Sequence, residues 1–285
     1  MLIAAAHTLT GSVPGAADWP RHHILERAAA AAAAGFDGLS LHFRDYLQLQ
    51  GEGRTDEEIR AAFSGLGLAV PTVEFLPDLP GGGFDPEAVD AAFAATLALG
   101  AGSLNVGLDM QGACPPVERL KQDFANLNAQ ARERGVTLAL EPLGWGATRD
   151  PGLVAEVLDH AGEGPGLVLD VWHLSRAGTT PADFDAGRIL SLQICDAPDR
   201  PEGDVLHDTM NRCLCGEGTL DIPGFLSSVR GFDAFPLAVE VISPDLAAMP
   251  LHEAARLAHD TARVTIEACG GETADGKDKR PGRER

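Results

Sequence analysis

Four side chains with oxygen donors stand at the ends of short apolar runs in the second half of the chain. These runs are VTLALE ending at Glu141, GLVLD ending at Asp170, ILSLQ reaching Gln193 and PLAVE ending at Glu240. An ionised carboxylate beside buried apolar residues is unfavourable unless it is paired or bound to a metal ion. One such acid is usually a structural ion pair or a loop cap, but four donors in equivalent positions predict a metal site.

The predicted ligands are three carboxylates and one amide, so every donor atom is an oxygen. Oxygen ligands favour Mn²⁺ or Mg²⁺ and tolerate Co²⁺, whereas Zn²⁺ prefers nitrogen or sulfur. We therefore expect one divalent ion, with Mn²⁺ or Mg²⁺ ahead of Co²⁺.

Two further side chains are placed to touch a bound molecule. His173 follows Asp170 by three residues, and Arg212 lies in the loop sequence NRCLCGEG. The D-x-x-H spacing favours a role for His173 beside the metal, although a lone histidine is often a packing residue. Arg212 is a candidate clamp for an anion or a carbonyl, and a solvated loop arginine is an equal alternative.

A repeated unit positions these residues: a helix-like stretch ends at glycine, and a short apolar strand follows directly. Eight strands are predicted near Leu2, Gly38, Leu68, Ser103, Val136, Gly166, Ile189 and Leu237. Their mean spacing of about 35 residues is one strand plus one helix. The pattern predicts an α/β fold, a single-domain (β/α)8 TIM barrel, in which functional residues collect at the carboxyl ends of the strands. A doubly wound sheet is the alternative, but HTLTGSVPG lacks the glycine-rich phosphate turn of that class.

The remaining composition limits the partners. The barrel is predicted over residues 1–269, and the polar residues 270–285 are predicted to form a disordered tail. A net charge of −20 disfavours nucleic acid and anionic membranes. Five scattered cysteines favour reduced thiols. No apolar run reaches the ~18 residues that span a membrane. The first residues do not show the pattern of a signal peptide. We expect a cytoplasmic protein, and a homo-oligomer is left open.

The runs LALEPLGWG, VLDVWHLSRAG, LQICDAP, CGEGTLDIPGF and LAVEV resemble the xylose-isomerase-like TIM-barrel superfamily of sugar phosphate isomerases and epimerases. The resemblance covers nearly the whole chain, and it implies one divalent ion held by Glu141, Asp170, a third donor and Glu240. That third donor is commonly histidine in the superfamily, and Gln193 stands in its place here. Gln193, together with Trp145 and Gly146, resembles the 3-dehydroshikimate dehydratase branch.

The resemblance implies a metal-dependent enzyme with a small polyhydroxylated substrate. The first expectation is a sugar isomerase or epimerase, in which Glu141 and Glu240 transfer a proton next to a carbonyl through a metal-stabilised enediolate. The second is a lyase of the 3-dehydroshikimate dehydratase type, in which His173 carries the proton. A catalytically silent sugar-binding barrel is the third. The expected substrate walls are Trp145, Trp172, His7 and Glu74, and Trp172 is equally a candidate core residue.

Overall fold

Nine parallel strand segments form one sheet in a computed structural model that describes residues 1–200 and 203–271. The segments are β1 (Leu2–Ala4), β2 (Gly38–Leu39), β3 (Leu41–His42), β4 (Thr72–Pro77), β5 (Ser103–Gly107), β6 (Leu138–Glu141), β7 (Gly166–Asp170), β8 (Ile189–Ile194) and β9 (Leu237–Val239). Their order is β2-β1-β9-β8-β7-β6-β5-β4-β3, so only Ser40 separates the two ends of the sheet in the chain. β2 and β3 are therefore two halves of one strand, and the predicted eight-stranded TIM barrel is confirmed.

Eleven α-helices are found in the described part of the chain. They are α1 (Ile24–Ala34), α2 (Phe43–Gly51), α3 (Asp56–Ser64), α4 (Pro86–Leu99), α5 (Val117–Arg134), α6 (Pro151–Ala161), α7 (Val171–Ala177), α8 (Val205–Thr209), α9 (Ile222–Ser228), α10 (Pro244–Ala248) and α11 (Leu251–Gly271). Every residue of β5, β6 and β7 is buried, as a parallel sheet covered by helices requires. None of the described helices is long and apolar enough to cross a membrane.

Two boundaries differ from the sequence-based prediction. The third strand of the barrel, β4, begins at Thr72 rather than near Leu68. Ala69 already forms a single parallel bridge with Gly38, and Pro71, which has no N–H for the sheet, separates this bridge from the regular pairing that starts at Thr72. At the other end, α11 continues to Gly271 and includes the first two residues of the predicted tail. Residues 272–285 lie outside the described part of the chain, so the tail stays a prediction there.

A buried arginine joins the segment that follows the first strand to the helices beside it. Arg27 of α1 is 2% exposed and forms an ion pair with Asp45 of α2. Its Nη1 also donates a hydrogen bond to the carbonyl oxygen of Ala6 (3.1 Å), and its Nε donates to that of His22 (3.2 Å). Because Ala6 directly precedes His7, this arginine fixes the backbone that carries one of the predicted site residues.

We expect Arg27→Met to lower the free energy of unfolding by about 3–5 kcal/mol, because it leaves a buried carboxylate without its partner. Urea denaturation followed by circular dichroism measures the change. The matched control is Arg21→Met, since Arg21 pairs with Asp18 while both side chains are 51% exposed. Exposed pairs contribute little, so the control should stay close to the parent protein. Equal losses in the two variants would contradict the assigned role of Arg27.

Candidate active site

The four predicted ligands lie together at the carboxyl ends of neighbouring strands. Glu141 and Asp170 are the last residues of β6 and β7, Gln193 is the penultimate residue of β8, and Glu240 directly follows β9. Asp170 and Gln193 are direct partners in the sheet register. All four are buried, with exposed fractions from 0% for Asp170 to 6% for Glu240. Consecutive strands of a parallel barrel therefore bring these residues to one end, as the sequence pattern predicts.

A cavity of about 530 Å³ lies at this end of the barrel. The predicted site residues that line it are His7, Glu74, Glu141, Trp145, His173, Gln193, Arg212 and Glu240. Asp170 is completely buried and is not among the lining residues, so it lies beneath the cavity surface. Eight of the ten predicted site residues thus line the cavity, but one predicted ligand, Asp170, is covered by other side chains.

Trp172 is a core residue rather than part of the cavity wall. It is completely buried and is not among the lining residues. The Arg212 guanidinium lies 4.8 Å from the centre of its ring, and the His173 ring packs edge-on at 4.9 Å. Of the two sequence-based interpretations of Trp172, the core position is the one that the structure describes. Trp172 supports the residues that touch the cavity.

Arg212 is buried among the carboxylates instead of being solvated in its loop. It is 3% exposed, and its Nη1 lies 2.7 Å from Asp170 Oδ2 and 3.0 Å from Glu240 Oε2. Its Nη2 donates a hydrogen bond to Thr209 Oγ1 at 3.2 Å. Among the described lining residues, Arg212 contributes the only lysine or arginine charge. It therefore neutralises part of a strongly acidic site.

Asp196 fixes the loop that carries Arg212. Its Oδ1 accepts hydrogen bonds from the backbone N–H groups of Ala197 and Leu220, and its Oδ2 accepts one from Gly216. The backbone of Asp196 also pairs in both directions with Cys213, the residue after Arg212. The backbone at Arg212 is thus held on the barrel by bonds that do not involve its guanidinium.

The hydrogen bonds of His173 determine which of its ring nitrogens carries the proton. The backbone N–H of Gly144 donates to Nδ1 at 3.0 Å, so Nδ1 is an acceptor. Nε2 lies 3.4 Å from Glu141 Oε1 and is the donor in the neutral ring. Burial lowers the pKa of His173 to about 3, although the charge of Asp170 opposes this shift. His173 is therefore a neutral hydrogen-bond donor toward Glu141 and the cavity.

The acids of the site are in unequal electrostatic environments. Burial raises the pKa of Glu141 and of Glu240 well above the usual range, and the charge of Asp170 adds to this shift in both cases. Burial is the largest influence on Asp170 and acts to raise its pKa, but the Arg212 guanidinium, His173 and a hydrogen bond with Glu240 together hold the pKa of Asp170 below its usual value. Burial raises the pKa of Glu74 to about 7. A bound cation is one way to stabilise the ionised forms.

Part of the cavity wall was not predicted from the sequence. Asn105 lines the cavity in the middle of β5, is 1% exposed, and its Oδ1 has no hydrogen-bond partner among the described residues. Its polar side chain within the apolar run SLNVG was an available signal. Phe75 and Met110 were missed as well, and both meet at Gly107, where an added Cβ would overlap the Phe75 ring and lie 2.6 Å from the Met110 sulfur.

Asp109 holds the loop that presents Trp145. Its two carboxylate oxygens accept hydrogen bonds from the backbone N–H groups of Ala113, Cys114 and Ala147, the last at 2.7 Å. The Trp145 indole N–H then donates to the carbonyl oxygen of Met110 at 3.1 Å. These bonds tie the loop after β5 to the loop after β6, so the position of the Trp145 ring on the wall depends on Asp109.

The donor atoms fit a divalent cation, although they form two groups. Ligand atoms of Glu141, Asp170 and His173 lie within 4.8 Å of one another, and those of His7, Glu74 and Glu240 form a second such group. Gln193 Oε1 is buried and has no hydrogen-bond partner among the described residues. A neutral amide oxygen without a partner, next to buried carboxylates, suits a hard cation.

Comparison with known proteins gives one matching family and named relatives. The model of the xylose isomerase-like TIM barrel family matches residues 28–268. The chain is 29% identical over 244 residues to a 3-dehydroshikimate dehydratase of Pseudomonas putida, and 30% identical over 244 residues to one of Pseudomonas aeruginosa. These alignments cover 81% and 80% of this chain but 38% and 37% of the relatives. The chain therefore spans less than half the length of either relative.

A solved structure supports the fold alone. The IOLI protein, which was crystallised with a bound zinc atom, is 17% identical and has a TM-score of 0.77, with 94% of this chain and 98% of that chain covered. The shared barrel extends over nearly the whole of both proteins.

We expect Asp109→Asn to loosen the loops that hold Trp145. Asparagine tolerates the positive φ of 56° at this position, but it offers one acceptor oxygen to three N–H groups. At least one of these N–H groups then loses its protein partner, which lowers the free energy of unfolding by about 0.5–1.5 kcal/mol. Hydrogen exchange at Ala113, Cys114 and Ala147 should accelerate. The control is Asp150→Asn at the start of α6, where asparagine caps the helix as well as aspartate does. Unchanged hydrogen exchange in Asp109→Asn would contradict the role of Asp109 in holding the two loops.

Proposed function

The chain belongs to the xylose isomerase-like TIM barrel family, and on that basis we propose that it is a divalent-metal-dependent dehydratase acting on 3-dehydroshikimate or a closely similar cyclic keto acid. The observation that carries this proposal is the donor set at the strand ends, in which the Gln193 amide oxygen is buried beside the carboxylates and has no hydrogen-bond partner in the described part of the chain. Similarity to two 3-dehydroshikimate dehydratases at 29% and 30% identity supports the same reaction.

We propose Glu141, Asp170, Gln193 and Glu240 as the ligands of one ion. Because all four donors are oxygens, Mn²⁺ or Mg²⁺ suits them better than Zn²⁺. The zinc in the IOLI protein supports a divalent ion in this fold without deciding which one this chain uses. When bound, the ion draws electron density from a carbonyl oxygen of the substrate and makes the neighbouring C–H more acidic.

Removal of the substrate proton is then left to a cavity residue that does not bind the metal ion. Glu74 lines the cavity and is not one of the proposed ligands, so its carboxylate is available to take the proton from the carbon next to the ketone. The hydroxyl on the following carbon leaves with that proton as one molecule of water. The ring ketone then enolises, which gives an aromatic dihydroxybenzoate, and the reaction needs no oxidant.

We assign His173 to orientation rather than to proton removal. Its Nδ1 accepts a hydrogen bond from the Gly144 N–H, so the proton of the neutral ring is on Nε2. The ring can take a second proton only at Nδ1, and this would break the bond to Gly144. An Nε2–H directed at the cavity instead donates a hydrogen bond to a substrate oxygen. This assignment departs from the sequence-based expectation that His173 carries the proton in a dehydratase.

A sugar isomerase or epimerase is the second candidate. Glu141 and Glu240 both line the cavity but belong to different ligand groups, which favours an acid and a base on two sides of a substrate. The comparisons support this reading at the level of the family, whereas the named relatives favour the dehydratase. A silent sugar-binding barrel is excluded if either turnover is found.

We expect the chain with Mn²⁺ or Mg²⁺ to convert 3-dehydroshikimate into an aromatic product, detected by ultraviolet absorbance and mass spectrometry. Chelation of the metal should abolish the reaction, and added Mn²⁺ should restore it. Glu141→Gln should lower both the bound metal and the rate by at least about 100-fold, because one charged ligand is removed. Glu156→Gln, which changes an acid on the surface of α6, is the matched control.

The same experiment distinguishes the candidates. Solvent deuterium entering a ketose, with no aromatic product from 3-dehydroshikimate, would replace the dehydratase by the isomerase or epimerase. Absence of both reactions in protein with stoichiometric metal would favour the silent barrel.

We expect His173→Ala to retain exchange of solvent deuterium into unreacted substrate, at a rate reduced by about 10–100-fold, because the residue orients and does not remove the proton. Glu74→Gln should abolish this exchange while the metal remains bound. Proton NMR measures the exchange, and metal analysis accompanies each variant. Abolished exchange in His173→Ala with metal still bound would return the proton-removing role to His173.

A further inference from the structure

Arg212 occupies the position between two of the proposed metal ligands. A single guanidinium nitrogen, Nη1, contacts Asp170 Oδ2 at 2.7 Å and Glu240 Oε2 at 3.0 Å. The ligand atoms of Glu141 and Asp170 fall in one group, and Glu240 falls in the other with His7 and Glu74. Arg212 thus spans the gap between the two halves of the proposed ligand set.

The cavity surface points to the same conclusion. Arg212 lines the cavity, whereas Asp170 is completely buried and is not part of the lining. The other oxygen of Asp170 already accepts hydrogen bonds from the backbone N–H groups of Trp172 and His173. The oxygen that remains for a metal ion is therefore the one that Arg212 holds.

We propose that Arg212 is a resident cation that leaves the Asp170–Glu240 pair when a divalent ion binds, and that its released guanidinium then binds the negatively charged group of the substrate. This inference rests on the proposed function for the identity of the ligands. It adds the order of events: the metal binds first, and an anionic substrate binds second.

Charge and geometry both support this exchange. Without the metal, the guanidinium compensates carboxylates that would otherwise be buried with no partner. With the metal, the same carboxylates have a stronger cation, and two cations that share their oxygens repel each other. The backbone at Arg212 is held by the Asp196 bonds, so movement is confined to the side chain, which already borders the cavity.

A coupling between the two binding events follows from this exchange. If the metal releases Arg212 for the anion, the anion must in turn favour the metal-bound form by the same factor. A carboxylate should tighten Mn²⁺ binding, and an uncharged molecule of the same shape should not. The chain therefore discriminates for anionic substrates only after it has taken up its metal.

The first arm of the test measures Mn²⁺ affinity without any organic ligand, through the electron paramagnetic resonance signal of free Mn²⁺. We expect Arg212→Met to bind Mn²⁺ at least about 10-fold more tightly than the parent chain, because no resident cation has to be displaced. Arg212→Lys keeps the positive charge and should stay within about threefold. Arg176→Met is the matched control, since Arg176 packs against the same Trp172 ring but pairs with Asp208.

The second arm measures the coupling in the parent chain and in Arg212→Lys. Shikimate serves as the anionic probe, and its methyl ester serves as the uncharged probe. We expect shikimate to tighten Mn²⁺ binding by at least about fivefold in the parent chain, and the ester to leave it unchanged. The effect should be smaller in Arg212→Lys, because lysine lacks the two parallel donors of a guanidinium.

The outcomes are separable from those of the proposed reaction. Equal or weaker Mn²⁺ binding in folded Arg212→Met would overturn the inference and make Arg212 a support of the metal. If that variant does not fold, equal effects of shikimate and its ester on the parent chain would overturn the inference instead. Both arms measure metal binding alone, so they can succeed even where 3-dehydroshikimate gives no aromatic product.

Discussion

The ion pairs of Arg212 with Asp170 and Glu240 are the interaction on which the rest of the site depends. A parallel barrel brings the ends of consecutive strands together, and in this chain those ends carry acids. Acids crowded in a buried space repel one another and are poorly solvated, so the fold needs a positive charge among them. One guanidinium supplies it, from a loop that is held by a separate set of hydrogen bonds. The strand ends therefore supply the acids of the site, and the loop supplies the positive charge that balances them.

Carboxylates perform two distinct tasks in this protein. Asp109 and Asp196 accept hydrogen bonds from backbone N–H groups and hold loops in place. Glu141 and Glu240 have few such bonds and are directed into the cavity. An acid that is saturated by N–H groups is stable without a counterion, whereas one that is not remains available to bind. The difference in hydrogen bonding, more than the residue type, separates structural acids from functional ones.

The sequence predicts well those features that depend on residues close together in the chain. The apolar runs and the acids at their ends indicate both the barrel and the residues at its carboxyl end, because strand direction alone decides where Glu141 and Asp170 fall. The interruption of the second strand at Ser40 and the late start of β4 were not predicted. Side-chain partners were the least predictable: the burial of Arg212 depends on residues 42 and 28 positions away, Asp170 and Glu240. The spacing of apolar and polar residues does not predict a contact between side chains so far apart in the chain.

The shape of the cavity wall depends on Gly107, which has a hydrogen atom where every other amino acid has a Cβ. At Gly107 the missing Cβ leaves the space in which the Phe75 ring and the Met110 sulfur meet. Any larger residue there must displace one of these two lining side chains. Every glycine codon becomes an alanine codon by a single-base change, so a rearranged cavity wall is one nucleotide substitution away. One position of the chain can therefore reshape the cavity wall, whereas the oxygen-bearing side chains at this end of the barrel come from four separate strands.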